Sequence, residues 1–280
     1  MSSILTNNGA IVALQTLKNV NSSLNKAQSE ISTGKSISSA KDNAALWAIS
    51  KTMETDQEAA KTIQSSLNVA NQTVTTALAG SDEVVKLLTD MKKLAGSAGT
   101  DGFDFTTVQN QITEKMANIT SIVTGTQMNG VNLLSTDGIN GGATFTTLAS
   151  LDRTSGTGAT TANTIVVDSL DYEADIVGGT LTTITDQASA LTAVGDIEAL
   201  LDIAIAGSAT LGAASARITD QADFVGNLAD SLKLGIGSLV DADMEEASAR
   251  LQALQTQQQL GIQALSIANQ APSAIMSLFR

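Results

Sequence analysis

From Val194 to Leu239 the chain holds one apolar heptad register. Val194, Ile197, Leu201, Ala204, Leu211, Ile218, Ala222, Val225, Ala229, Leu232, Ile236 and Leu239 recur at steps of three and four, with Ser208 and Ser215 out of pattern. Such spacing puts all of them on one stripe of an α-helix, and a stripe this long needs helical partners along its whole length. A second register runs through Met53, Ala60, Ile63, Leu67, Ala70, Val74, Ala77, Val84, Leu88, Met91 and Ala95, with Asp56 and Ser81 as its exceptions. At ~1.5 Å per residue this second helix is roughly 65 Å long. A strict seven-residue repeat also implies left-handed supercoiling against the partner helices.

Two shorter segments repeat the pattern. Leu17, Val20, Leu24, Ala27 and Ile31 form one face, closed by Gly34 where a helix cap belongs. Val108, Ile112, Met116, Ile119 and Val123 form another. Composition agrees with helix-on-helix packing, because aromatics make up 2% of the chain and there is one proline in 280 residues. The middle departs from this. Residues 135–186 hold seven glycines and thirteen threonines, with β-type runs at Thr164 to Val167 and Leu181 to Ile184, and their acids face a single Arg153. Asn129 and Gly130 form a turn dipeptide before this region. The plan is mirrored, so the two ends meet only if the chain folds back on itself. The fold class is therefore mainly α, with long antiparallel coiled-coil helices, paired terminal helices and a small β-hairpin region in the middle.

The closing stretch is the most unusual in chemistry. From Leu251 to Phe279 no side chain is charged, and seven residues are glutamine. Gln252, Gln255, Gln259, Gln263 and Gln270, with Ser266, fall on one helical stripe, while Leu254, Leu260, Ile262, Leu265, Ile267 and Ile275 spread around the rest. A helix apolar on several sides has to be packed on several sides, and its neutral polar stripe suits a wet lumen. Four large apolar residues on the first helix, Leu17, Val20, Leu24 and Ile31, bury too little to offset the ordering of some thirty backbones. The terminal segments are therefore expected to order on assembly.

Several chemistries are excluded. The chain has no cysteine and no histidine, which removes disulfides, thiolate or imidazole metal sites, Cys nucleophiles and His-based triads. A net charge of −13, with fifteen dispersed basic residues, argues against nucleic acid. No enzyme activity and no cofactor are expected. The longest uninterrupted apolar run, Ala44 to Ile49, is far short of a membrane span, and residues 1–20 lack the pattern of a secretory signal, so membrane insertion and a cleaved signal peptide are not expected. Asp243 with Glu246, and Ser39 with Asp42, read as capping boxes. That role accounts for Asp241, Asp243, Glu245 and Glu246 better than a calcium site does. Asp168, Asp171, Glu173 and Asp175 read as a charged exposed loop. Gly156 to Gly158 is no phosphate loop, since no lysine follows. Trp47 is expected to pack at the start of the long helix.

Several motifs now fall in order. Ile31 to Lys35 reads Ile-Ser-Thr-Gly-Lys, Ser39 to Asn43 reads Ser-Ala-Lys-Asp-Asn, and Gln127 to Val131 reads Gln-Met-Asn-Gly-Val. Gly237 to Asp243, Ser248 to Leu254, Asn269 to Ser273 and Leu278 to Arg280 complete the set. In sequence and spacing the chain resembles a bacterial flagellin of the short alphaproteobacterial type over essentially its whole length. That resemblance implies a self-assembling subunit of the flagellar filament, a hollow helical polymer for swimming motility, located outside the cell. It implies passage unfolded through a type III export apparatus, with an export chaperone, a filament cap and hook-junction proteins as partners. A hook–filament junction protein of the same export system is the alternative.

The resemblance also divides the chain. Residues 1–34 and 241–280 become inner-tube helices, 35–42 a connector, 43–134 and 187–240 the outer rod, and 135–186 its Thr/Gly-rich hairpin. Self-assembly then falls to Leu17, Val20, Leu24, Ala27 and Ile31 at one end. At the other it falls to Leu251, Leu254, Leu260, Leu265, Ile275, Leu278, Phe279 and Arg280. Gln252, Gln255, Gln259, Gln263 and Gln270 line the channel. Flagellins recognised by host innate receptors carry Gln-Arg-Val-Arg-Glu-Leu where this chain has Thr89, Asp90, Met91, Lys92, Lys93 and Leu94. Acid in place of one arginine, and lysine in place of glutamate, removes fork-type pairing and reverses local charge, so recognition is not expected.

Overall fold

A computed structural model of the chain describes residues 7–100, 102, 104–136, 143–153 and 160–277. In order these form α1 (Asn8–Thr33), α2 (Ala44–Ser97), α3 (Phe105–Gly125), β1 (Thr144–Arg153), β2 (Thr160–Asp168), a π-helical turn (Glu173–Val177), α4 (Gln187–Val240) and α5 (Met244–Ser277). Residues 58–229 make one compact unit, and the described residues before and after them make a second.

The heptad face becomes the core of the first unit. Ala60, Ile63, Leu67, Ala70, Val74, Ala77, Val84, Leu88, Met91 and Ala95 of α2 are all buried, as are Ile197, Ala204, Leu211, Ile218, Ala222, Val225 and Ala229 of α4. Val108, Ile112, Ile119 and Val123 of α3 join the same cluster, with Met116 packed beside it. Asp104 caps α3 by accepting from the N–H groups of Thr106 and Thr107. Asn129 and Gly130 close a two-residue turn in which Met128 N–H donates to Val131 O at 2.9 Å and Val131 N–H returns the bond at 3.0 Å.

The two strands form an antiparallel hairpin that pairs Phe145 with Val167 and Thr147 with Ile165, with a bulge between Leu148 and Ser150. Ala149, Ile165 and Val167 face inward, and Gln221 of α4 donates to Ala149 O at 3.0 Å. Thr164 to Val167 lies within β2. Leu181 to Ile184, read as a β-type run, takes no strand partner. Side chains satisfy its backbone instead, with Thr182 N–H donating to Asp196 and Ile184 N–H to Gln109. A strand needs a facing edge, and here two helices supply acceptors first.

Two local readings change in detail. Asn43 caps α2 by accepting from the N–H groups of Ala45 and Leu46. Asp42 accepts instead from Ser38 and Ser39 and fixes the turn before the helix, and the Ser39 N–H bond leads the causes that hold its carboxyl below the usual range. The second concerns α4, which contains an 18-residue stretch long and apolar enough, by composition, to cross a membrane. Scanning for uninterrupted apolar runs misses it, because polar residues and glycines break up a content that is mostly alanine and leucine. Its apolar a/d side chains from Val194 to Ala229 lie in or against the helical core described above.

Candidate assembly surface

The second unit is built on α1 and α5, which pack against each other. Their antiparallel alignment is fixed at three levels. Asn7 caps α1 by accepting from Ala10 N–H at 3.1 Å, and its own amide donates to Ala268 O at 2.7 Å. Further along, Gln258 Nε2 donates to Asn21 Oδ1 at 2.7 Å. At the far end α1 stops at Gly34, which adopts φ 70° and returns its N–H to Glu30 O. There the two helix breaks are stitched together: Ser36 N–H donates to Val240 O at 2.8 Å, and Ala242 N–H to Gly34 O at 3.0 Å. Lys35 and Asp241 face each other across this short antiparallel bridge.

Leu24 and Ala27 are buried, and Leu17, Val20 and Ile31 are half-buried. On α5, Ala247 is buried, while Leu251, Leu254, Gln258, Gly261, Leu265 and Ala268 are half-buried at heptad steps. Gly261 permits a close approach, since a Cβ there would stand 3.2 Å from Leu17 Cδ1. The sequence reading did not single out Gln258, Gly261 or Asn21. The alternation of steps through Ala247, Leu251, Leu254, Gln258 and Gly261 carried that signal.

One face of each helix is covered, and the others are open. Ile11, Val12 and Leu14 of α1 are exposed, and so are Leu260, Ile262 and Ile267 of α5, the last at 69%. Because the helices run antiparallel with Asn7 beside Ala268, these six residues lie at the same end of the pair. Gln252, Gln255, Gln259, Gln263 and Gln270 are exposed as well. Leu260 therefore lies outside the α1–α5 seam, whereas Leu251, Leu254 and Leu265 are in it. The side chain of Ile275 and residues Leu278, Phe279 and Arg280 lie outside what the structure describes.

Charge sits at the opposite end, near the connectors. Asp243 caps α5 by accepting from the N–H groups of Glu245 and Glu246. Glu246 turns away from the expected reciprocal capping bond and pairs with Arg250 at 2.6 Å. Glu54 accepts from Lys51 and from Lys35, and the Lys51 ammonium is the main cause holding its carboxyl below the usual range. Trp47 is half-buried near the start of α2.

In the first unit, Asp90 lies between Lys93 at 3.3 Å and Lys115 at 3.6 Å, and Lys92 reaches Glu198 at 3.1 Å. The stretch Thr89 to Leu94 thus has its charges engaged within its own subunit. Asp171 accepts from Ala174 N–H, and Glu173 from the Ser135 hydroxyl at 3.0 Å. Among the described residues no three acidic side chains converge as metal ligands.

Comparison with known proteins adds an independent line. The family model described as bacterial flagellin N-terminal helical region matches residues 4–138, and the bacterial flagellin C-terminal helical region matches residues 191–279. A flagellin of Brucella melitensis is 40% identical over 288 residues, covering 100% of both chains. Flagellin FljO of Caulobacter vibrioides is 39% identical over 284 residues, covering 100% of this chain and 99% of its own length. Flagellin C of Rhizobium meliloti is 33% identical over 320 residues, covering 100% of both. Among solved structures, that of Bacillus cereus flagellin matches with a TM-score of 0.41 at 18% identity, covering 66% of this chain and 94% of its own.

Proposed function

The chain belongs to the bacterial flagellin family and is a structural subunit of the flagellar filament, and from that footing we propose that α1 and α5 are the elements that build the polymer. The observation carrying this reading is the unfinished state of the pair. Two helices bury one seam and leave Ile11, Val12, Leu14, Leu260, Ile262 and Ile267 in water. Apolar surface gathered at one end is stabilised by neighbours of the same kind, and a helical array of identical chains supplies several per subunit. The exposed glutamines on α5 then face a water-filled bore, where neutral amides satisfy a polar wall without the repulsion that rings of like charge would bring.

Identity with flagellins along their whole length favours the bulk subunit over a junction protein present in few copies. Export through the flagellar type III apparatus, with a chaperone, a cap and junction proteins as further partners, completes the proposal. Leu17, Val20, Leu24, Ala27 and Ile31 serve as the α1 half of the seam, with Leu251, Leu254 and Leu265 opposite. Leu260, Ile275, Leu278, Phe279 and Arg280 serve contacts to other copies. The charges around Thr89 to Leu94 are already paired, which supports weak or no recognition by innate receptors.

Seeded polymerisation tests the reading. Purified chain added to short filament fragments is expected to elongate them into long hollow filaments, and a variant lacking residues 251–280 is expected to remain monomeric with the helicity of residues 58–229 intact. Elongation by the truncated chain would refute it.

A further inference from the structure

The two long helices pose a problem that their heptads alone leave open. Sliding α4 along α2 by seven residues returns every a and d position to the same stripe, so binary patterning favours several alignments almost equally. Only residues that break the pattern distinguish one alignment from the next. Ser81 of α2 and Ser208 of α4 are two such residues, and the structure brings them to one level, 2.7 Å apart.

A third group closes on them. Tyr172 is the one tyrosine in the chain, and it is 1% exposed. Its hydroxyl stands 2.6 Å from Ser81 Oγ and donates to Ala204 O at 2.9 Å. Its ring fits because position 207 is glycine, where a Cβ would lie 2.2 Å from the Tyr172 hydroxyl and 2.9 Å from Cζ. Backbone bonds fix where the tyrosine enters, since Leu170 N–H donates to Leu133 O at 2.7 Å and Tyr172 N–H to Leu134 O at 3.1 Å. The third interruption, Ser215, donates to Asn71 Oδ1 at 2.7 Å, one heptad further along the pair.

We propose that Ser81, Tyr172, Ser208 and Gly207 form a register lock, a buried polar clasp that selects one heptad alignment of α2 against α4 and fastens the segment after the hairpin to it. In either alignment shifted by seven residues the ring meets Leu200 or Ala214 in place of Gly207. One shift sets Leu201 against Ser81, and the other sets Ser215 there but takes it from Asn71 and leaves Ser208 without Ser81. The slipped states are thus disfavoured by a clash and by unpaired hydroxyls in the core. The lock trades some stability for uniqueness, as single polar residues in apolar seams do. It does not depend on how the filament assembles.

The chain has no cysteine, so engineered pairs report alignment without ambiguity. Gln64 and Gly226 adjoin in the native register, a Cβ at Gly226 falling 2.4 Å from Gln64 Nε2. Gln64→Cys combined with Gly226→Cys reports that register, and Gln64→Cys with Thr219→Cys or with Lys233→Cys reports the two slips. Each pair is placed in the parent chain and in a background carrying Ser81→Ala, Ser208→Ala, Ser215→Ala and Tyr172→Leu, which removes the ring and the hydroxyls and leaves an apolar layer. Under mild oxidation the parent is expected to cross-link at the native pair alone. In the altered background slipped cross-links should rise by about tenfold or more, while helicity by circular dichroism is kept. A folded background that cross-links only at the native pair would overturn the proposal. So would loss of helicity in that background, because removing a device for alignment leaves an apolar pair that still folds.

Discussion

Gln258 donates to Asn21 across 237 positions of sequence, at 2.7 Å, in the middle of the seam between α1 and α5. Gln258 stands at a heptad position of α5 where an apolar residue would bury more surface, and Asn21 flanks the Val20 position of α1, so their pairing favours alignment over raw stability. Gln258→Ala leaves the Asn21 oxygen half-buried without its donor and should cost about 1 kcal/mol. Asn21→Leu combined with Gln258→Leu should recover that loss. The temperature at which filaments release subunits, followed by light scattering, measures both.

The exposed end of the pair should govern polymerisation rather than folding. Ile262 and Ile267 are 55% and 69% exposed. Covering the part of each that is still exposed contributes about 1–2 kcal/mol. Ile262→Asn with Ile267→Asn should therefore raise the critical concentration for seeded growth by roughly one to three decades. Circular dichroism of the monomer should stay unchanged. Growth at the parent concentration would mean that these side chains touch nothing in the filament.

Tyr172 gives a pH prediction with a definite sign. Burial is the main cause raising its phenol above the ordinary value, the Ser81 hydrogen bond opposes this, and the Asp82 carboxylate adds to the rise. The folded state therefore holds this proton more tightly than the unfolded state. Its contribution to stability is complete below the ordinary phenol value of about 10 and is lost as pH rises past it toward the folded value. Because the chain has one tyrosine, the ultraviolet tyrosinate band reports this group alone. That band should appear at higher pH than in the free amino acid, together with loss of far-ultraviolet helicity. A band that rises at the free tyrosine pH with helicity intact would contradict the burial.

At the start of α2, Asn43 accepts from two N–H groups of the first turn. Asn43→Ala should destabilise the chain by about 1 kcal/mol, and Asn43→Asp should be nearly neutral. Thermal unfolding by circular dichroism decides between them.

Gly207→Ala should be more damaging than an alanine normally is in a helix. The added methyl meets the Tyr172 hydroxyl and Leu170 Cδ1 at 2.2 and 2.8 Å, which predicts overpacking of about 1–3 kcal/mol. Tyr172→Phe in the same chain should relieve part of it, as the hydroxyl goes but Cζ stays. The check is a lowered thermal midpoint that rises again in the double variant.

Much of this molecule was legible before any coordinates, because a heptad repeat states both the helix and the face it buries. The stripes on α2, α3 and α4 came from spacing alone, and their apolar side chains between Ala60 and Ala229 form or pack against the core of residues 58–229. The glutamines of α5 likewise stood on one stripe and are exposed. Leu181 to Ile184 was misleading, since β propensity says nothing about whether a partner edge is within reach. The capping role of Asn43 was missed because Ser39 and Asp42 present the same signature slightly earlier in the chain. By itself the sequence determined which residues turn inward, since side-chain period is a property of the local backbone. Only the tertiary structure decided which inward faces meet and at what level: Ser81 with Ser208 and Tyr172, Asn21 with Gln258, Gly34 with Ala242. A repeat is degenerate under translation, and the bonds that remove that degeneracy join residues far apart in the chain.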